Sequence, residues 1–232
     1  MRRTADPRSR LAAGLAELSL DAGLAAPLTA YLAELSKWNR AYNLTAVRDV
    51  SAMVTRHVLD SLAILPAIAP HLPGAPTLRI LDVGSGAGLP GIPLAIARPG
   101  WHVTLLDSNG KKARFLRHAV RTLGLPNVAV LEQRAEALSR LPRAGEGNAR
   151  EAGEGPSREP YDVIVSRAYA SLSDFVHATH AALAPGGVWL AMKGKLDPFE
   201  LSALLDTVRV VATPTVTVPG LDEDRHVVVM RQ

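Results

Sequence analysis

The sequence has no cysteine and few aromatic residues. Among 232 residues, cysteine is absent and Phe, Trp and Tyr together make up 4%. The absence of cysteine excludes disulfides, Cys-based zinc sites and thiol nucleophiles. Apolar residues make up 47% of the chain and charged residues 21%, which are ordinary values for a globular protein and exclude disordered or collagen-like classes.

The sequence also lacks an evident targeting or membrane segment. The N-terminal Met1, Arg2 and Arg3 are not followed by the apolar core of a signal peptide. The longest uncharged apolar stretch, residues 61–78, contains four prolines and is therefore not expected to form a continuous membrane helix. We expect a soluble, cytoplasmic protein with no membrane partner.

Positive charge exceeds negative charge, and it is clustered. The net charge is +4 and the isoelectric point is about 9.7. Arginines are concentrated near the N-terminus, and a second basic cluster spans residues 111–121. The net charge favours a polyanionic partner, although for the charge clusters taken alone two solvated surfaces are the better explanation.

The hydrophobic periodicity divides the chain into two parts. Leucines and valines at helical spacing predict helices from about residue 8 to 68, and prolines predict a connector over 66–76. Residues 77–232 alternate between strands and helices, which is typical of a doubly wound parallel α/β sheet. The last segments, 207–218 and 226–230, predict a hairpin with at least one antiparallel strand. We therefore expect an N-terminal helical extension (1–76) and an α/β domain (77–232).

One segment stands apart from this pattern. Residues 143–160 contain four glycines, two prolines and seven charges but no large apolar side chain. Such a segment buries too little surface to order itself. We interpret it as a flexible insertion without a function of its own.

The strongest local motif is a glycine-rich turn after the first predicted strand. Asp82 is followed by Gly84, Gly86 and Gly88, with Leu89 next. The spacing G-x-G-x-G differs from the dinucleotide pattern G-x-G-x-x-G, because Leu89 occupies the position of the third glycine. It resembles the first motif of the S-adenosylmethionine (SAM) methyltransferases.

A carboxylate lies at the expected distance from this turn. Asp107 ends the second predicted strand, 21 positions after Gly86. A carboxylate about 20 residues on is the usual acceptor for ribose hydroxyls. NAD enzymes and methyltransferases share this feature, so Asp107 supports cofactor binding without choosing between them.

Two features that the sequence lacks narrow the type of atom that could accept a methyl group. Methylation of pyrimidine carbon 5 needs a cysteine nucleophile, which the chain lacks. The Asn/Asp-Pro-Pro-aromatic motif of exocyclic amine methylation is also missing, since the chain reads VSRAY at 165–169. A ring nitrogen with a free lone pair, such as guanine N7, needs only alignment with the methyl group. A small-molecule acceptor fits this chemistry too.

Seven segments, in order along the chain, resemble the RsmG (GidB) family. They are WNRAYNLTAVRD (38–49), RHVLDS (56–61), DVGSGAGLPGIP (82–93), LLDS (105–108), SRA (166–168), KG (193–194) and RH (225–226). The resemblance implies a class I SAM methyltransferase that modifies guanine N7 at position 527, in the 530 loop of 16S rRNA. The partner would be the small ribosomal subunit or an assembly intermediate, without a metal ion.

The same resemblance assigns the cofactor site residue by residue. Gly84 and Leu89 fall on the family's cofactor loop, Ala135 and Glu136 on its adenine-holding pair, and Arg167 on the lining of the cofactor pocket. Together with the turn and its carboxylate, the expected SAM-binding set is Gly84, Ser85, Gly86, Gly88, Leu89, Asp107, Ala135, Glu136 and Arg167. No residue is assigned as a general base. Arg167 is expected to pair with the SAM carboxylate or an RNA phosphate, because an unpaired charge there would be costly.

Several motif residues have a structural interpretation as well as a functional one. We expect His57 and Asp60 to contact each other and tie the helices to the sheet, with an RNA-facing role as the alternative. Asn43 and Thr45 could cap a helix end or contact a base. Trp38 and Tyr42, four residues apart, are expected to pack in the core.

Two other functions remain open from the residues alone. One is an NAD(P)-dependent oxidoreductase, which Leu89 in place of the third glycine disfavours. The other is a non-catalytic RNA-binding module, which the intact glycine turn and Asp107 disfavour. A different SAM-dependent methyltransferase, acting on another RNA or a small molecule, is the nearest alternative.

Overall fold

The protein is built on one seven-stranded sheet. The structure, a computed structural model, describes residues 6–140, 159–167, 169–204 and 207–232. The strands are β1 (Arg79–Val83), β2 (His102–Leu106), β3 (Val128–Leu131), β4 (Tyr161–Arg167), β5 (Leu183–Lys193), β6 (Arg209–Ala212) and β7 (His226–Arg231). Their spatial order is β3-β2-β1-β4-β5-β7-β6.

The strand directions confirm the predicted topology. Strands β1 to β5 pair in parallel, whereas β7 is antiparallel to both β5 and β6. The predicted first strand of the terminal hairpin is shorter than expected: only Arg209–Ala212 forms a strand, and Thr215 adds a single bridge to His226. The carboxyl ends of β1 to β5 meet at one edge of the sheet, where open α/β sheets bind ligands.

Helices cover both faces of the sheet. The α-helices are α1 (Pro7–Glu17), α2 (Ala25–Tyr42), α3 (Val50–Met53), α4 (Asp60–Leu62), α5 (Ile64–Ile68), α6 (Gly91–Ala97), α7 (Gly110–Leu123), α8 (Leu172–Thr179) and α9 (Pro198–Ser202). A π-helical turn, Val54–Leu59, joins α3 to α4, and short 3₁₀ turns span Ala22–Leu24, Ala69–His71, Ala135–Arg140 and His180–Ala182.

Helix α7 shows how local chemistry sets these bounds. The Asn109 side chain accepts hydrogen bonds from the first backbone amides of the helix, at 3.0 Å from the Lys111 nitrogen. Gly124 ends the helix at a φ of +61°, in the left-handed region that glycine adopts without strain. The predicted helix over 110–123 is thereby confirmed.

Successive strand residues point to opposite faces, as the pleat requires. Ile80 and Val163 lie in the hydrophobic cluster under α1 to α7, whereas their neighbours Leu81 and Ile164 lie in the cluster under α8. The N-terminal helices contribute Leu11, Leu15 and Leu28, among others, to the first of these clusters. The helical extension and the sheet thus share a continuous core on that face. The division into 1–76 and 77–232 remains our proposal for the organisation of the chain.

The prolines after residue 61 do not stop the helical run where the sequence predicts. The helical run Val50–His71 spans 22 residues, with a turn at Ala63 between α4 and α5, so the expected connector over 66–76 is wrong for its first six residues. Pro66 is tolerated because it lies in the first turn of α5, where its missing amide costs no intrahelical hydrogen bond. By length and composition this run could cross a membrane, yet 72% of its most apolar window is buried inside the protein, as in a core helix.

Two predicted features lie outside the described residues. Of the insertion over 143–160, the structure describes only residues 159 and 160, and of the basic N-terminal arm it describes residues from Asp6 onward.

One buried hydrogen bond joins the helical layer to the glycine turn. The Tyr31 hydroxyl of α2 donates to the Ala87 carbonyl at 2.7 Å, and both residues are buried. We expect Tyr31→Phe to lower the free energy of unfolding by about 1–2 kcal/mol, since the carbonyl loses its partner inside the core. Urea denaturation measures this change. Tyr42→Phe is the matched control, because no hydrogen bond to the Tyr42 hydroxyl occurs within the described residues; equal losses in both variants would contradict the role of Tyr31.

Candidate active site

The glycine turn follows β1 directly and uses a backbone open mainly to glycine. Gly84 has a φ of +71° and Gly88 a φ of +87°. A Cβ on Gly88 would lie 2.4 Å from the Ile92 Cδ1 atom, so packing against α6 also requires glycine there. A Cβ on Gly84 would meet no atom of the described residues within 4 Å, apart from its two chain neighbours. The space above Gly84 is therefore open to a ligand.

The turn is held in place by the neighbouring strand. The backbone amides of Gly84 and Ser85 both donate to the Leu106 carbonyl, at 2.8 and 3.0 Å. The Ser85 hydroxyl donates to the Asp82 carbonyl at 2.8 Å, and its side chain is buried. The Ser85 carbonyl accepts from the Gly88 and Leu89 amides at 2.7 and 2.9 Å, so the hydroxyl and the backbone groups of Ser85 all hold the turn in shape.

Asp107 connects the end of β2 to this turn. Its Oδ2 atom accepts a hydrogen bond from the Gly86 amide at 2.9 Å, and its Oδ1 atom accepts one from the Asn109 amide at 2.8 Å. The Lys112 ammonium lies 3.8 Å from Oδ2. The sequence suggested that Asp107 and Gly86 belong to one cofactor site, and the structure shows a direct hydrogen bond between them. Each carboxylate oxygen retains a lone pair for a further donor.

Asp82 is a second carboxylate beneath the turn, and it is fully buried. Its Oδ2 atom accepts from the Gly91 amide at 2.9 Å, while its Oδ1 atom has no hydrogen-bond partner within the described residues. Burial raises the pKa of Asp82 from 3.8 to about 7, against the opposing effect of the Gly91 hydrogen bond and the Arg167 charge. The sequence showed Asp82 as part of the motif, but it gave no sign that the pKa of its carboxyl group is raised.

Three other residues expected to bind the cofactor differ in their exposure to solvent. Ala135 and Glu136 begin the 3₁₀ turn Ala135–Arg140 after β3, at the same edge as the glycine turn; Ala135 is buried and Glu136 exposed. Leu89 is 3% exposed, and its side chain packs in the hydrophobic core. Any contact of Leu89 with a ligand would therefore use its backbone.

Arg167 ends β4 and pairs with a carboxylate of the helical layer. Its Nη1 atom lies 3.3 Å from Asp60 Oδ2 and also donates to the Arg56 carbonyl at 3.1 Å. Asp60 Oδ1 accepts from Arg225 Nε at 2.9 Å. The expected His57–Asp60 contact is therefore wrong: Asp60 does tie the helices to the sheet, but through two arginines. Asp60 therefore supplies the negative charge that the partly buried guanidinium of Arg167 requires.

His57 has a different partner. Its Nε2 atom lies 2.8 Å from the Thr45 hydroxyl, and its buried Nδ1 atom has no hydrogen bond within the described residues. Burial is the main cause that lowers the pKa of His57, so the ring is neutral at pH 7. No cluster of three or more His, Cys, Asp or Glu that could hold a metal ion occurs in the described part of the chain.

The segment after α2 is held by side chains, as the capping interpretation predicts for Thr45. The Thr45 hydroxyl accepts from the Val47 amide at 3.2 Å. Asn43 caps α2 in the left-handed region with a φ of +50°, but its side chain binds Arg48 rather than the backbone. Asn39 instead satisfies the backbone of Thr45 and Val47, and sequence reasoning missed it.

The predicted packing of the two aromatic residues of α2 is confirmed. The rings of Trp38 and Tyr42 stack with centroids 5.1 Å apart, and both residues pack against the core cluster. Trp38 also contacts Phe115 and His118 of α7, at centroid distances of 5.7 and 4.8 Å.

A cavity of about 650 Å³ lies beside this edge of the sheet. Gly194 and Lys195, which follow β5, line one side, and the connection between β6 and β7 lines the other, including Glu223 and Arg225. Arg225 belongs both to the cavity wall and to the pairing with Asp60. Sequence reasoning did not assign Arg225, Tyr31 or Glu223 to the site. Arg225 lies in one of the segments that resemble the family and could have been found there, whereas no sequence pattern pointed to Tyr31 or Glu223.

Comparison with known proteins identifies the chain's relatives. Residues 25–228 match the family model GidB, described as rRNA small subunit methyltransferase G. A ribosomal RNA small subunit methyltransferase G from Stenotrophomonas maltophilia (strain K279a) is 49% identical over 215 residues, covering 93% of this chain and 90% of that protein. The protein of the same name from Laribacter hongkongensis (strain HLHK9) is 46% identical over 225 residues, covering 95% and 96%.

Solved structures share the fold. TrmN from Thermus thermophilus superposes with a TM-score of 0.52 at 22% identity, over 77% of this chain and 53% of that one. A mutant form of MtNAS, solved in complex with S-adenosylmethionine, gives a TM-score of 0.55 at 14% identity, over 94% and 80%. The predicted class I methyltransferase fold with an N-terminal helical region is confirmed, as is the resemblance drawn from the seven segments. The chain belongs to the rRNA small subunit methyltransferase G (GidB) family.

Proposed function

We propose that this protein transfers the methyl group of SAM to N7 of guanine 527 in the 530 loop of 16S rRNA. The observation that carries the proposal is the pinned glycine turn beside Asp107, in a chain that belongs to this family. The acceptor would be presented by the small ribosomal subunit or an assembly intermediate, which places the enzyme in the cytoplasm. The net charge of +4 suits a polyanionic substrate.

The residues at the turn fit the cofactor. The open space above Gly84 admits a ligand close to the backbone, and Asp107 has lone pairs for the ribose hydroxyls. We assign the backbone of residues 84–89, Asp107, Ala135 and Glu136 to cofactor binding, and Arg167 to the lining of the pocket. Two carboxylates beneath a cationic cofactor, Asp82 and Asp107, suit its sulfonium and ammonium charges.

When bound, SAM supplies an electrophilic methyl group. Guanine N7 carries a lone pair and no proton, so the protein need not remove one. The task of the chain is to hold the purine in line with the methyl group, which is catalysis by proximity and orientation. The cavity beside Arg225 has the size of ordinary small-molecule sites and lies at the edge where the acceptor must approach.

The pairing of Arg167 suits the charge that develops on the base. Methylation at N7 leaves a positive charge on the purine, which a bare cation alongside would destabilise. Asp60 balances the charge of Arg167, and Arg225 is held by both Asp60 and Glu223. These arginines can therefore stand near the site without opposing the reaction, and no side chain is assigned as a general base.

The proposed product is tested by chemical cleavage of rRNA. Borohydride and aniline break the strand at 7-methylguanine, so 16S rRNA from wild-type cells should break at the 530 loop. We expect the break to vanish when the gene is deleted and to return on complementation. A break that persists in the deletion strain would show that another enzyme makes the modification.

The role of Asp107 is tested by Asp107→Ala. We expect the SAM dissociation constant to rise by the equivalent of about 1.5–3 kcal/mol, because a charge-assisted hydrogen bond to the ribose is lost. Calorimetry measures this binding. Asp162→Ala is the matched control, since Asp162 also accepts a backbone amide, that of Arg79 at 2.8 Å, but at the opposite end of β1. Equal SAM affinities in the wild type and Asp107→Ala would refute the assignment.

The pH dependence separates binding from chemistry. We expect kcat at saturating SAM to stay flat from about pH 6.5 to 8.5, because no general base titrates in that window. The KM for SAM should fall several-fold as the pH rises through about 7, because Asp82 gains a negative charge beneath a cationic ligand. Asp82→Asn should abolish the change in KM. A kcat that climbs with pH would contradict the base-free mechanism, and a KM that titrates unchanged in Asp82→Asn would contradict the role of Asp82.

A further inference from the structure

Helix α7 carries positive charge that its own sequence does not balance. Its 14 residues include five lysines and arginines and no acidic residue. Cations three or four positions apart on a helix repel each other, as Arg114, Arg117 and Arg121 do. Lys111 and Lys112 lie in the first turn, where the helix dipole disfavours cations. This arrangement costs the free protein stability, and a bound anion would offset that cost.

The carboxylates around α7 neutralise only part of this charge. Two of the five cations have a carboxylate partner: Lys112 lies beside Asp107, and the Arg117 Nη2 atom lies 2.8 Å from Glu132 Oε2. The helix together with these two carboxylates therefore keeps three net positive charges. The three cations that are exposed and form no ion pair within the described residues are Lys111, Arg114 and Arg121.

The arginines of this helix line a common groove. It has a volume of about 400 Å³, and its lining includes Arg114, Arg117 and Arg121. Glu132 is the one acidic residue in the lining, and its carboxylate is paired with Arg117. Three guanidinium groups thus border one space with a single carboxylate among them, which makes the groove a site for an anion.

The helical layer contributes to the wall of the same groove. Trp38 of α2 lines it, with its ring packed against His118 at a centroid distance of 4.8 Å. His118 also belongs to the lining, and its Nε2 atom lies 2.6 Å from the Glu34 carboxylate of α2. The ring and the carboxylate on this side are therefore held by contacts between the two helices, and Arg114 and Arg121 remain available to a ligand.

One end of the groove lies at the carboxyl edge of the sheet. Gly110 is part of the lining and begins α7, three residues after Asp107, whose carboxylate contacts the glycine turn. Glu132 directly follows β3. From this edge α7 returns the chain toward the amino end of β3, so the groove leads away from the proposed active site along the helix.

The spacing of the unpaired arginines suits a chain of phosphates. Arg114 and Arg121 are seven residues apart on one face of α7, which separates them by roughly 10 Å along the helix axis. The phosphates of a nucleic acid strand recur every few ångströms, so a strand along α7 offers each arginine a phosphate of its own. The proposed substrate carries such a phosphate at every nucleotide, whereas an acidic protein segment would need carboxylates at matching positions.

We propose that the groove along α7 binds the phosphate backbone of the rRNA substrate outside the target nucleotide, through Arg114 and Arg121. This inference rests on the proposed function, because it takes rRNA as the substrate. The target guanine would lie at the carboxyl edge while its strand, or a neighbouring one, continues along α7. The two arginines are positioning residues for the RNA and have no part in SAM binding.

The test measures RNA binding at several salt concentrations. Filter binding compares the wild type with Arg114→Gln/Arg121→Gln on protein-free 16S rRNA from the deletion strain. We expect the Kd to rise about 4- to 25-fold, from about two- to fivefold for each exposed ion pair lost. The slope of log affinity against log salt concentration should decrease in magnitude by about 1.5 to 2, since two phosphate contacts are lost.

Methyl transfer and stability provide the accompanying measurements. The KM for RNA, with labelled SAM, should rise in the double variant on protein-free 16S rRNA and on small-subunit particles. The Kd for SAM should not change. The thermal unfolding temperature should not fall, because the substitutions relieve repulsion along α7. Arg114→Lys/Arg121→Lys should keep the wild-type salt slope, because the charges are retained.

The matched control is Arg98→Gln/Arg209→Gln, which removes the same charge elsewhere. Arg98 follows α6 and Arg209 begins β6 opposite Arg231, so both lie toward the amino ends of the parallel strands. Neither forms an ion pair within the described residues. We expect this control to keep the wild-type salt slope and KM for RNA.

Each contrary outcome has a distinct meaning. A wild-type enzyme that methylates neither protein-free rRNA nor particles overturns the proposed function itself. An active wild type whose RNA affinity and salt slope are unchanged in Arg114→Gln/Arg121→Gln overturns the groove alone. Equal losses in this variant and in the control would show a general effect of net charge and also overturn it. A higher KM on particles, while protein-free rRNA binds all variants equally, would mean that the groove contacts a ribosomal protein instead of RNA.

Discussion

The site depends on one constraint, the pinning of the turn after β1 by three separate elements. The Leu106 carbonyl and the Asp107 carboxylate of the β2 end hold its amides, the buried Asp82 holds the start of α6, and Tyr31 of α2 holds its far carbonyl. A backbone with positive φ at several successive glycines would otherwise be mobile, because glycine loses the most conformational freedom on folding. The turn is thus rigid before any ligand arrives, at the place where we propose that SAM binds.

The helical layer is part of this arrangement and not an appendage to it. Its side chains share a hydrophobic cluster with one face of the sheet, and its polar groups contact the active-site edge. Tyr31 supports the glycine turn, and Asp60 pairs with Arg167 and Arg225. A substrate that approaches this edge therefore meets groups from both parts of the chain. This explains how a helical extension and a widespread methyltransferase fold can form one active site.

The charges at the edge are separated in a way that suits the proposed reaction. Beneath the turn lie Asp82 and Asp107, on the side proposed for a cationic cofactor. On the side proposed for the RNA, Arg56, Arg167 and Arg225 each pair with Asp60 or Glu223, which leaves this cluster a net charge of one positive unit. The carboxylates on one side would attract the cationic methyl donor. On the other side, ion pairing weakens the repulsion between the arginines and a purine that becomes positive.

The sequence by itself determined what depends on local order along the chain. The alternation of strands and helices, the glycine turn and the ends of α7 follow from side-chain periodicity and from the φ values that glycine permits. Only the tertiary structure decided the partners of Asp60, because Arg225 lies 165 residues away, and likewise the contact of Tyr31 with Ala87, 56 residues away. Such pairings are set by how whole elements pack, and no local pattern records them.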